Sequence, residues 1–112
     1  MSVIAIDLGT LTSATSVASV KPEDSNSKFQ RGDSVEAVIQ PTNGAFVGTA
    51  KIQGSNDLDT VADGSATWTD LLTFTAPASN SGSKVAVVTA YRRMRLTVSV
   101  FTSGSVNGLL LS

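Results

Sequence analysis

The chain has 112 residues, of which 15% are charged, and its formal net charge is −1 at pH 7. That length leaves room for one domain, and that balance of charge excludes the strong basic field that holds nucleic acid. The absence of cysteine and histidine excludes disulfides, thiolate chemistry, Cys-ligated zinc and the commonest general base near neutral pH. Hydrophobic residues make up 41%, enough for one core, yet no apolar run approaches the ~20 residues that span a bilayer. Polarity comes largely from 16 serines and 13 threonines beside 13 valines, a mixture that favours strands over helices.

No segment keeps an apolar stripe at helical spacing over three turns, whereas extended runs recur between turn residues. The first run is Val3 to Leu8, with Ile4, Ile6 and Leu8 on one face. Thr10 to Val20 is extended and punctuated by Gly9 and Ser13, and polar Lys21 to Gly32 reads as the longest loop. Ser34 to Gln40 alternates, with Val35, Ala37 and Ile39 together. Pro41-Thr42-Asn43-Gly44 follows, and its Asn-Gly pair predicts a hairpin reversal because both residues tolerate positive φ. Ala45 to Gln53 puts Phe46, Gly48, Ala50 and Ile52 on one side, and Gly54 to Ala66 is a second polar loop. Thr67 to Thr75 aligns Trp68, Leu72 and Phe74; Ala76 to Ser83 turns; Lys84 to Ala90 and Tyr91 to Phe101 form two strands or one long bent one. In the latter, Met94, Leu96, Val98 and Val100 oppose Arg93, Arg95, Thr97 and Ser99, and Thr102-Ser103-Gly104 turns into Val106 to Leu111. The expected fold is all-β: an antiparallel, jelly-roll-like sandwich of about eight strands. Residues 13–112 form its single domain, and residues 1–12 are an extended N-terminal arm or an edge strand.

The charges are unevenly spread. Asp57, Asp59, Asp63 and Asp70 fall in a stretch without a base, and Lys84, Arg92, Arg93 and Arg95 in a later stretch without an acid. Two readings follow: charges that pair across neighbouring strands or stay solvated, or complementary patches that join identical subunits. Arg31-Gly32-Asp33 reads as a glycine turn. The Asp57, Asp59, Asp63-Gly64 cluster lacks EF-hand spacing and reads as a solvated turn, so neither metal nor cofactor is expected. No pair of carboxylates is drawn together for glycoside chemistry, and no glycine stretch has phosphate-loop spacing. The expectation is therefore a protein without enzymatic activity. The N-terminus lacks the basic region and apolar core of a signal peptide. The sequence reads as a complete product made in the cytoplasm.

Two resemblances enter here. Ile52-Gln53-Gly54-Ser55-Asn56-Asp57, then Trp68-Thr69-Asp70-Leu71, then Tyr91-Arg92-Arg93-Met94-Arg95-Leu96 is similar to the second half of discoidin-like (factor 5/8 C-type) jelly rolls. The same pattern, ending Phe101-Thr102-Ser103-Gly104-Ser105-Val106-Asn107-Gly108, resembles small bacteriophage virion proteins rich in Ser, Thr, Val and Gly. That second resemblance implies a capsid decoration (cement) protein on the virion exterior, made in the host cytoplasm. It would bind the major capsid protein as a homotrimer, without nucleic acid or membrane. The residues expected at its protein interface are Val3, Ile4, Ile6 and Leu8, with Arg92, Arg93 and Arg95 as polar partners. The alternative is a carbohydrate-binding or host-adhesion module, with Asn56, Asp57, Asp59, Trp68 and Tyr91 as its ligand loop.

Overall fold

The computed structural model describes residues 5–21, 32–58, 60–76 and 83–111, with backbone alone at 43–45. Among these the chain is all-β: β1 (Ala5–Leu11), β2 (Ser34–Ser55), β3 (Thr69–Ala76), β4 (Lys84–Thr89) and β5 (Arg93–Leu111). A 3-10 turn spans Asp63–Ser65, and no helix among the described residues is long and apolar enough to cross a membrane. All pairings are antiparallel, in the order β1-β5-β2-β3 with β4 on β2.

β2 and β5 are long and pair along nearly their whole length, from Glu36 opposite Leu111 to Ser55 opposite Arg93. Each is flanked differently at its two ends. In the first half, the order is β1, residues 105–111 of β5, residues 34–42 of β2, then β4. In the second half, residues 47–55 of β2 lie between β3 and residues 93–103 of β5. Residues 15–20 bridge the far side of β5, through Ser16 opposite Thr97 and Val20 opposite Met94. Hydrogen bonds from Val17 N–H to the Leu96 carbonyl (3.0 Å) and Val98 N–H to the Thr15 carbonyl (2.8 Å) continue that edge.

The sheet curls over so that these halves face each other, almost closing around one core. Ile6, Leu8, Leu11, Val35, Ala37, Ile39, Val106 and Leu110 from the first half pack with Phe46, Ala50, Ile52, Leu72, Phe74, Met94, Leu96 and Val98. Gly108 shows how close the layers come, since a Cβ there would stand 3.2 Å from the Leu96 Cδ1. The molecule measures 38 × 37 × 18 Å, the thinness of two sheets about 10 Å apart. Phe46 sits where β2 passes between halves, its ring centroid 6.3 Å from Phe74 and 6.4 Å from Phe101.

Five strands are seen among the described residues, against about eight expected: two of the expected turns are not reversals, and Thr10 to Val20 contributes only the end of β1 and isolated bridges at Ser16 and Val20. At Pro41–Gly44 the chain continues as β2: Thr42 lies opposite Ser105 and Val47 opposite Ser103, so β2 bulges while both ends keep the same partner. Pro41 is tolerated because of its neighbours. Ala90 N–H donates to the Asp33 carbonyl, so residues 35, 37 and 39 direct their N–H toward β4 by the period of two. β4 ends opposite Ile39, and the N–H that Pro41 lacks would point past that end. Likewise Thr102–Gly104 lies within β5.

Bulges also move side chains between faces. Ala50 lies opposite Val98 but Thr49 opposite Val100, leaving Ser99 unpaired. The extra residue turns Val100 outward, 55% exposed, against the inward placement expected from its alternation with Met94, Leu96 and Val98. Phe101 takes the inward position instead. A second shift leaves Leu71 between Leu72 (opposite Ile52) and Asp70 (opposite Gln53). Trp68 is thereby placed on the outer face, not beside Leu72 and Phe74 as expected. Gly48 permits the crowded passage at the bulge: its φ is +150°, and a Cβ there would collide with the Val100 carbonyl oxygen.

Candidate functional site: two unlike outer faces

The curled sheet exposes two outer faces with opposite chemistry. The outer face of the second half is polar. Lys51 forms an ion pair with Asp70 at 3.0 Å, and Gln53 Nε2 donates to the other Asp70 oxygen at 2.7 Å. Arg95 donates from Nε to Gln53 Oε1 (2.9 Å) and lays its guanidinium over Trp68, 4.1 Å from the ring centroid. This stacking is a cation–π contact. Burial holds Arg95 below the usual guanidinium value, while the Asp63 carboxylate works the other way.

Beside Trp68, residues 56–58 and 60–67 are tied down by side-chain hydrogen bonds. Asp63 is the centre. It accepts from Ser19 N–H (2.9 Å), the Ser19 hydroxyl (2.7 Å) and Arg93 Nη1 (3.0 Å), while its carbonyl accepts from Trp68 Nε1 (2.9 Å). Arg93 is only 4% exposed and also donates from Nη2 to the Leu58 carbonyl at 2.8 Å. Thr67 N–H donates to Asp57 at 2.6 Å, and Arg92 N–H to Asn56 Oδ1 at 3.0 Å. The Tyr91 ring lies against Gly54, where a Cβ would stand 2.6 Å from its Cγ.

Partial burial alone would raise the pKa of Asp63, but donation from Ser19 and Arg93 outweighs it and holds the carboxyl below its ordinary 3.8. The native state therefore binds this proton less readily than the unfolded chain does. The resulting stability is fully present above the unfolded pKa and is lost as pH falls through the lowered one. Unfolding free energy should be level from neutral pH down to about pH 5 and decline below about pH 4. Asp63→Asn should be less stable at neutral pH and decline less steeply in acid. Denaturant titrations across pH check this, and an unchanged acid slope in the variant would remove Asp63 from the linkage.

The expected site residues thus divide. Asn56, Asp57, Trp68 and Tyr91 do lie at one end of the sheet, but each has a partner within the chain; Asp59 falls outside the described residues. Arg93 and Arg95 were expected on an intersubunit surface. Arg93 is instead inside, bound by Leu58 and Asp63, and Arg95 covers Trp68; the Arg92 backbone ties to Asn56. Ile6 and Leu8 were also expected at a subunit contact, yet they are buried in the chain's own core. β1 is a hydrogen-bonded edge strand of β5, because inward apolar side chains are better covered by β5 and the opposite layer than left on an arm. Val3 and Ile4 fall outside the described residues. Of the two charge readings, pairing within the chain accounts for Asp63 with Arg93 and Asp70 with Lys51.

The outer face of the first half was missed. Two rows cross it: Asp7, Leu109, Val38, Val85, and Ala5, Leu111, Glu36, Val87. Val85 and Val87 are 51% and 72% exposed, while Leu109 and Leu111 are half-buried. The signal was present in Val85-Ala86-Val87-Val88, a run apolar on both faces where a strand with one wet face alternates. The far end of this face is polar. Asn107 Nδ2 donates to Asp7 (2.9 Å) and to the Gly9 carbonyl (2.8 Å), and Gln40 donates to Asn107 Oδ1 (3.3 Å). No protein family, curated protein or solved structure matches this chain.

Proposed function

We propose that this chain is a non-enzymatic structural protein of the bacteriophage capsid-decoration (cement) type. In that role the folded sheet is a rigid block that sits on the virion exterior, bridges major capsid subunits and acts through surface contact alone. One observation carries the reading: Val85 and Val87 stand exposed beside Val38, Leu109 and Leu111 on one outer face, while the other outer face is polar and satisfied within the chain. Contiguous exposed apolar surface marks interaction sites. The carboxylates of Asp57, Asp63 and Asp70 are engaged by the chain's own donors, which supports a role without a reactive centre and draws support away from a sugar-binding loop.

The pairing order supports a jelly-roll reading of the fold as well. If β2 and β5 are each divided at their bulges and residues 15–20 are taken as a strand, the chain has eight segments. The first then pairs with the eighth, the second with the seventh, the third with the sixth and the fourth with the fifth. Two layers result, with segment orders 1-8-3-6 and 2-7-4-5. Double-sheet jelly rolls serve viral capsids and lectins alike, so the choice between those roles rests on the surfaces and not on the fold.

Mass spectrometry of density-purified particles from cells carrying the gene tests the role. The protein is expected in fixed proportion to the major shell subunit. Its absence from purified particles, with the soluble protein present in the lysate, would overturn the reading.

A further inference from the structure

The far edge of β4 is paired by nothing among the described residues, and β4 reads Lys-Val-Ala-Val-Val-Thr. An exposed, apolar, unblunted edge is a template for another strand. The orientation of its backbone follows from Ala90, whose N–H donates to the Asp33 carbonyl. Stepping back by twos, residues 88, 86 and 84 direct their N–H and C=O to β2, so residues 85, 87 and 89 direct theirs to the open edge. These are also the residues whose side chains stand on the outer face, with Val85 and Val87 among them.

We propose that β4 is a self-pairing edge: two copies of the chain join β4 to β4, antiparallel, about a two-fold axis through Val87. The register is constrained. Antiparallel strands place opposite residues on one face, so a centre between two residues would oppose inward side chains to outward ones. A centre on Val87 sets it opposite the partner's Val87, and Val85 opposite the partner's Thr89. All three residues that present backbone groups to the edge then exchange hydrogen bonds.

Val85, Val87 and Thr89 of the two copies then share the outer face of one continuous sheet, the two exposed Val87 side chains standing directly opposite each other. Two-fold pairs are the commonest closed assembly, and this one replaces the trimer implied by resemblance. The inference goes beyond the decoration reading and is independent of it, since the chain can pair whether or not it enters a particle.

Sedimentation equilibrium of the full chain tests it. At millimolar concentration the mass should be twice the 11.5 kDa of the chain, with the amides of Val85, Val87 and Thr89 protected from exchange in the pair and open in the dilute monomer. Val87→Pro removes an edge-facing N–H without touching the β2 ladder and should give a monomer with unchanged unfolding temperature. If that variant does not fold, Val87→Lys carries the same test. A monomer at every concentration, a trimer, or a dimeric Val87→Pro or Val87→Lys would each overturn the Val87-centred pairing. Failure of the particle experiment would leave these results untouched.

Discussion

Arg93→Met is expected to lower stability by about 1.5–3 kcal/mol, the range for hydrogen bonds that involve a charged group. Arg93 is 4% exposed, and its guanidinium binds both the Asp63 carboxylate (3.0 Å) and the Leu58 carbonyl (2.8 Å). Methionine matches much of the apolar stem but donates nothing, so the Leu58 carbonyl loses this donor and Asp63, with its side chain 32% exposed, keeps only Ser19 and solvent. The effect should be local as well as global. Amides across residues 57–68 should exchange faster, since Asp63 also holds Ser19 and its carbonyl holds Trp68. Denaturant unfolding gives the first quantity and hydrogen exchange the second. A double-mutant cycle with Asp63→Asn should show coupling on the order of 1–3 kcal/mol. Additive losses, with residues 57–68 as protected as before, would show that the pair does not hold this segment.

Phe46→Ala is expected to be more damaging, at roughly 3–5 kcal/mol. The ring is fully buried and lies between Phe74 and Phe101, at the place where β2 passes from one half of the sheet to the other. Neighbours from β3 and β5 are fixed by their own ladders and cannot move in to fill the space, so the cavity term stays large. Against a total stability of about 5–15 kcal/mol for a domain, such a loss is a large fraction. The unfolding midpoint should fall by more than ~10 °C, at roughly 4 °C per kcal/mol for a chain near this size. Calorimetry checks this. A fall of only a few degrees would mean that the two halves of the sheet are joined elsewhere than through Phe46.

Phe46 and Arg93 stabilise different parts of the same block. Phe46 holds the layers face to face, whereas Arg93 pins the segment at one end of them. Neither residue contributes to the exposed valine rows. Both variants should therefore keep the β4 edge intact as long as the protein folds, which separates stability from association in experiment.

Much of the core was legible in the sequence alone. Ile6 and Leu8, Val35, Ala37 and Ile39, Phe46, Ala50 and Ile52, and Met94, Leu96 and Val98 all face inward, as their alternation implied. That period of two is a local property of an extended chain, and a long sequence of hydrophobic residues at every second place has one way to bury them. The all-β antiparallel class followed from the same pattern. What the tertiary structure alone decided was every choice that depends on a distant partner. Asn43-Gly44 permits a reversal but does not compel one; the chain runs on because β5 continues beside it. Val100 turns out and Phe101 turns in because of a register step between β2 and β5, strands that meet from far apart in the chain. Trp68 lies outside for the same kind of reason, a step between β2 and β3. Arg93 occupies an outward place in its own strand, yet it is buried because a segment thirty positions earlier brings Asp63 over it. Local alternation tells which side of a strand a residue is on, but only the packing of remote segments tells what covers that side.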